Sequence, residues 1–123
     1  MATILIVEDE VFIRDTAEFT IEDLGHDVLL AVDASEAASH LKSPQVIDAL
    51  FVDLRLSTEA LAGYGIATEA IKLRPGLRVL YTSGSPLTQD MTDHFVSGGQ
   101  FLQKPYSPAQ LEISVRALLQ SEP

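Results

Sequence analysis

The chain has 123 residues, 46% of them hydrophobic, enough for a single domain that buries roughly two thirds of its unfolded surface, and no linker, repeat or low-complexity segment interrupts it. A formal charge of −10, with 8 Lys and Arg against 18 Asp and Glu, argues against a nucleic-acid partner, because a phosphate backbone calls for clustered basic side chains. The absence of cysteine excludes disulfides and thiolate chemistry, and no run approaches the ~20 apolar residues of a membrane span or the layout of a secretory leader, so a cytoplasmic protein with no membrane partner is expected.

Thr3-Ile4-Leu5-Ile6-Val7 is a β-branched apolar run, read as a strand, that stops at Glu8-Asp9-Glu10. Three adjacent acids repel one another unless solvated or bridged by a cation, and hard carboxylate oxygens suit Mg²⁺. The plainer alternative is an acidic loop that opens a helix, where carboxylates favour the helix dipole. Ile13, Ala17, Thr20, Ile21 and Leu24 then recur at spacings of three and four, which predicts a helix over residues 10–24 stopped by Gly25. Residues 28–32 form a second strand, and Asp33-Ala34-Ser35-Glu36 is a capping box for a short helix through Ala38 and Leu41.

Ala49-Leu50-Phe51-Val52 is apolar at every position, the pattern of a strand buried on both faces, and it ends abruptly at Asp53. Ligands of open parallel sheets bind beyond the carboxyl ends of the strands, so Asp53 either caps a loop or reacts there. A loop containing Gly63 and Gly65 follows, then a helix with Ile66, Ala67, Ala70 and Ile71 facing inward and ended by Arg74-Pro75-Gly76. Val79-Leu80-Tyr81 is a fourth strand running into Thr82-Ser83-Gly84. Ser85-Pro86 is expected to start a helix with Leu87, Met91 and Phe95 on its apolar stripe. Phe101-Leu102-Gln103 is a fifth strand stopping at Lys104-Pro105, and Ser107 caps a last helix carrying Leu111, Val115 and Leu118.

Five repeats of strand then helix require right-handed crossovers and a parallel sheet covered on both faces, a doubly wound α/β domain. Glu8, Asp9, Asp53, a hydroxyl at Ser83 or Thr82, and Lys104 then fall at the carboxyl ends of four strands, on one rim. The set Val7-Glu8-Asp9-Glu10, Val52-Asp53 with Leu56, Tyr81-Thr82-Ser83-Gly84 and Phe101-Leu102-Gln103-Lys104-Pro105-Tyr106 resembles the receiver domain of two-component response regulators, over essentially the whole chain.

The resemblance implies a flavodoxin-like (βα)5 fold of strand order 2-1-3-4-5, one receiver domain over residues 1–123 and no effector domain within them. It implies Asp53 as phosphoacceptor and Mg²⁺, or Mn²⁺ in its place, held by Asp9, Asp53 and the backbone carbonyl of Arg55, with Glu8 acting mostly through water. Ser83, with Thr82 as fallback, would sense the phosphoryl group, Lys104 would neutralise it, Phe101 would be the switch aromatic and Pro105 would follow a cis bond. The implied partners are a sensor histidine kinase or histidine phosphotransfer protein, an unnamed output partner, and a second copy of the chain. The implied role is phosphorelay signalling, with phosphotransfer onto Asp53 and slow autodephosphorylation as the sole chemistry. A phosphorylation-independent adaptor or phosphate sink is the alternative.

Two departures stand out. Ser57 occupies a position where the family usually has proline, and the loop over residues 57–65 is longer than usual. An aspartyl-phosphate hydrolase of the haloacid dehalogenase type would place a second acid where Arg55 stands, and a dinucleotide module would have glycines where Glu8-Asp9-Glu10 stands. His26, His40 and His94 are read as surface or loop residues without a metal.

Overall fold

The computed structural model describes residues 1–56, 59 and 61–121. Among these, strands β1 (Thr3–Val7), β2 (Asp27–Ala31), β3 (Ala49–Asp53), β4 (Arg78–Ser83) and β5 (Gln100–Gln103) alternate with helices α1 (Val11–Asp23), α2 (Ala34–Leu41), α3 (Ala62–Leu73), α4 (Gln89–Asp93) and α5 (Pro108–Gln120). The strands form one parallel sheet in the order β2-β1-β3-β4-β5. Its register aligns Val7 with Val52 and Asp53 with Thr82, so the chain leaves β1, β3 and β4 at one level.

Alternation along the strands divides the core into two layers. Leu5, Val7, Leu50, Val52, Val79 and Tyr81 pack with Ala37, Leu41, Ile66, Ala67 and Ala70 of α2 and α3. Ile4, Ile6, Ala49, Phe51 and Leu80 face the other way, onto Ala17 and Ile21 of α1 and Leu111, Val115 and Leu118 of α5. All five residues of the central strand β3 are buried, which is why that segment reads as continuously apolar up to its carboxylate.

The helix ends follow local chemistry. Gly25, at φ 94°, sits just past α1; its N–H donates to the Glu22 carbonyl at 2.9 Å, and the His26 N–H to that of Ile21 at 3.4 Å. Asp33 caps α2 by accepting from the Glu36 N–H at 2.9 Å, but the Glu36 carboxylate accepts from Val32 N–H, one residue earlier than in a reciprocal box. Ser107 and Gln110 form the full reciprocal box at α5.

Two expectations are corrected. Gly63 and Gly65 lie within the first turns of α3 rather than in the loop before it. A Cβ on Gly63 would sit 2.6 Å from the Asp53 carbonyl oxygen, so this glycine marks close helix–strand approach rather than a turn. The helix expected from Ser85-Pro86 starts later: Thr88 is its cap, and α4 spans five residues. Leu87 therefore lies outside it and is exposed, while Met91 and Phe95 still pack against the core. Ser57, whose departure from the family pattern was noted above, lies outside the described residues.

Candidate functional site

The common level of the strand ends gathers the polar residues. Glu8 leaves β1 buried, at 3% exposure, its N–H bonded to the Ala31 carbonyl at 3.0 Å and its Oε2 accepting from the Glu10 N–H at 3.2 Å. Asp53 ends β3 at 6% exposure, its Oδ1 accepting from the Arg55 N–H at 3.2 Å. Lys104 follows β5, fixed by its N–H to the Ser83 carbonyl at 2.8 Å. Its Nζ lies 2.8 Å from Glu8 Oε1 and 2.8 Å from Asp53 Oδ2, so one ammonium serves two buried carboxylates. The Lys104–Pro105 bond is cis.

One cation cannot fully offset two adjacent anions in a water-poor place. Burial, only partly countered by the Lys104 hydrogen bond, pushes the Glu8 carboxyl up to about 7. Burial alone would lower the Lys104 ammonium, but its hydrogen bonds to Asp53 and Glu8 outweigh that and hold it above the usual lysine value. A second cation would relieve the imbalance. Glu8, Asp9 and Asp53 each present an oxygen, all within 4.8 Å of one another, a spread compatible with the roughly 4.2 Å across an octahedral Mg²⁺ site. The donor set is all hard oxygen, so the residues present fit a small divalent cation.

These groups line an open cavity of about 410 Å³ together with Glu10, Arg55, Ser83, Gly84 and Ser85. Arg55 is exposed at its edge. Of the two hydroxyl candidates, Ser83 is on the cavity, its Oγ accepting from the Ser85 N–H at 3.1 Å. Thr82 is not: it is buried, with its hydroxyl donated to the Leu102 carbonyl at 2.7 Å. Adjacent strand residues face opposite sides of the sheet, which separates the two.

Phe101 stands apart from the acids, half-buried and stacked on Phe95 with centroids 6.3 Å apart. Phe95 in turn stacks on Tyr81 at 4.1 Å, and Tyr64 of α3 leans on both. Sequence reasoning did not assemble this aromatic ladder, because its rings come from four separate segments. The three histidines bond elsewhere: His26 Nδ1 accepts from the Ala2 N–H at 3.1 Å, His40 Nε2 lies 2.9 Å from the Leu30 carbonyl and His94 Nδ1 2.8 Å from that of Asp90.

Residues 4–116 match the sequence pattern of the response regulator receiver domain. The chain belongs to that family. Among curated relatives, this receiver is 31% identical over 116 residues to the probable transcriptional regulator ycf27 of Porphyridium aerugineum, covering 94% of this chain and 47% of that one. It is likewise 31% identical to the alginate biosynthesis transcriptional regulatory protein AlgB of Pseudomonas aeruginosa, covering 95% and 26%. The receiver thus spans about half, or less, of the curated relatives it matches. A response regulator receiver protein from Sinorhizobium medicae has the same fold, with a TM-score of 0.87 at 29% identity, covering 98% of this chain and 95% of that one. Receivers are signalling modules of two-component systems rather than classical enzymes. Among the described residues, no helix is long and apolar enough to cross a membrane.

Proposed function

We propose that this receiver is phosphorylated on Asp53 by a phosphohistidine of a sensor histidine kinase or histidine phosphotransfer protein, and that the modification switches its surface for a partner. The observation that supports it most is the Asp53 carboxylate, oriented at both oxygens by Arg55 N–H and Lys104 Nζ and opening on a cavity where Glu8 and Asp9 supply further oxygens. Bound Mg²⁺, held by Asp9, Asp53 and the Arg55 carbonyl with Glu8 assisting, would supply charge neutralisation at the phosphoryl oxygens.

The chain's own residues do the rest. An Asp53 oxygen forms a bond to phosphorus in line as the P–N bond breaks, and its electron pair leaves on the imidazole, which takes up a proton. Phosphoryl transfer depends on positioning and charge more than on covalent help, and Lys104 already sits at bonding distance from the nucleophile. Ser83, across the same cavity, donates to a phosphoryl oxygen of the product and draws the β4–α4 loop inward. Phe101 repacks in the space this leaves, so a local charge becomes a change of surface. Arg55 overhangs the product and shields its phosphorus from water. The donor would meet the flank of α1, where Phe12 and Phe19 are exposed and Phe12 borders a groove of about 510 Å³ that reaches Lys104 and Tyr106.

Incubation with acetyl phosphate and Mg²⁺, read by intact mass, tests this reading. A single stable phosphoryl adduct is expected, and it should be lost in Asp53→Asn. An adduct that survives in that variant, or steady phosphate release without one, would overturn the assignment.

A further inference from the structure

Among the described residues, one buried side-chain polar atom lacks a hydrogen-bond partner, the hydroxyl of Tyr106. Its ring packs against Phe51 with centroids 5.9 Å apart, and the residue borders a narrow gap shared with Glu8, Ile13, Ala17 and Thr82. No water molecule fits there, so solvent cannot act as the missing partner. A buried, unbonded hydroxyl costs stability, and phenylalanine would fill the same space without that cost. The oxygen therefore calls for a state of the protein in which it is bonded.

Two of the other residues that border the gap carry side-chain acceptors. Thr82 has given its hydrogen to Leu102 and offers a neutral oxygen; Glu8 offers a carboxylate, the stronger acceptor once ionised. In the unmodified protein Glu8 is held by Lys104, which at the same 2.8 Å holds Asp53. If Asp53 carries a phosphoryl group, as proposed above, a charge of about −2 on the phosphoryl oxygens replaces the single charge of the carboxylate and draws Lys104 toward the new oxygens. Glu8 then keeps the Glu10 N–H at Oε2 but loses the ammonium donor at Oε1.

We infer that Tyr106 is a positioning residue of the phosphorylated state, its O–H donating to the Glu8 carboxylate once Lys104 has turned to the phosphoryl group. Burial, reinforced by the nearby charges of Glu8 and Asp53, keeps the phenol protonated far above neutral pH, so the donor is always available. The unbonded hydroxyl is thus a cost carried by the resting form and relieved in the active one, which biases the switch.

The inference rests on Asp53 as acceptor, and the experiment separates the two. Wild type, Tyr106→Phe, Glu8→Ala and the double variant are titrated calorimetrically with beryllofluoride, a phosphoryl mimic, at saturating Mg²⁺, and melted without either. Tyr106→Phe, which keeps the ring, should melt no lower than wild type when unliganded yet bind the mimic roughly tenfold more weakly, the loss expected for a hydrogen bond to a charged group. That deficit should vanish in the Glu8→Ala background. Equal affinities, a deficit that persists undiminished without Glu8, or an unliganded Tyr106→Phe melting well below wild type would each overturn the inference. A wild-type protein that binds no beryllofluoride would instead sink the acceptor assignment beneath it.

Discussion

Gly63 and Gly65 lie two positions apart in α3, yet substitution by alanine should have opposite effects. At Gly63 a Cβ would lie 2.6 Å from the Asp53 carbonyl oxygen and 2.7 Å from the Leu54 Cα, whereas nothing lies within 4 Å at Gly65. An ordinary carbon contact is about 3.5 Å, so the start of α3 would have to retreat by about 0.8 Å from the strand that ends at Asp53. Both obstacles are backbone atoms, and the Gly63 N–H is bonded to the Leu54 carbonyl at 3.0 Å, so no side chain can swing aside. Replacing helical glycine with alanine gains about 0.5–1 kcal/mol, and overpacking of this kind costs about 1–3 kcal/mol. Gly65→Ala should therefore stabilise by up to about 1 kcal/mol and Gly63→Ala should destabilise by about 1–2 kcal/mol. Urea unfolding midpoints at unchanged slope measure both values. Phosphorylation by acetyl phosphate should slow in Gly63→Ala, because Asp53 and Leu54 are what it displaces. The reasoning fails if Gly63→Ala proves as stable as Gly65→Ala.

Other expectations follow from the rim. Mg²⁺ should raise the melting temperature in proportion to the logarithm of its concentration, and Asp9→Ala should flatten that titration; a flat response in the intact protein excludes the acid cluster as a metal site. Burial holds the Glu8 carboxyl at about 7 against its ordinary 4.5, so the folded state binds that proton more tightly than the unfolded chain. Its contribution to metal-free stability is complete below pH 4.5 and is lost as pH rises through about 7. Thermal melts of Glu8→Gln should lack that decline, and a decline of undiminished size would show that it arises elsewhere. Arg55→Ala should still accept phosphate but shorten the aspartyl-phosphate lifetime severalfold at saturating Mg²⁺; an unchanged lifetime with altered Mg²⁺ affinity would mean that Arg55 neutralises the rim instead of shielding it.

The alternation of apolar strands with helix-period segments was enough to specify the order of elements, because each face a segment must bury is written in its own periodicity. The rim was legible for the same reason: a run buried on both faces does not tolerate a carboxylate before its end, so the acids mark where β1 and β3 stop. Ser83 was preferred to Thr82 as the hydroxyl, and the register of β4 between β3 and β5 turns Ser83 to the cavity and Thr82 to the Leu102 carbonyl. The late start of α4 was hidden because Leu87 has the right spacing but no core to face.

Gly63 read as a loop residue for want of any local sign that a backbone would pass beside it. The sharing of Lys104 between Glu8 and Asp53, and the unbonded hydroxyl of Tyr106, join residues from three strand ends and the loop that follows β5. Sequence periodicity records which face a residue takes, since that depends on its neighbours along the chain. Which atoms meet across strand ends depends on register and crossover packing, and only the folded sheet decides those.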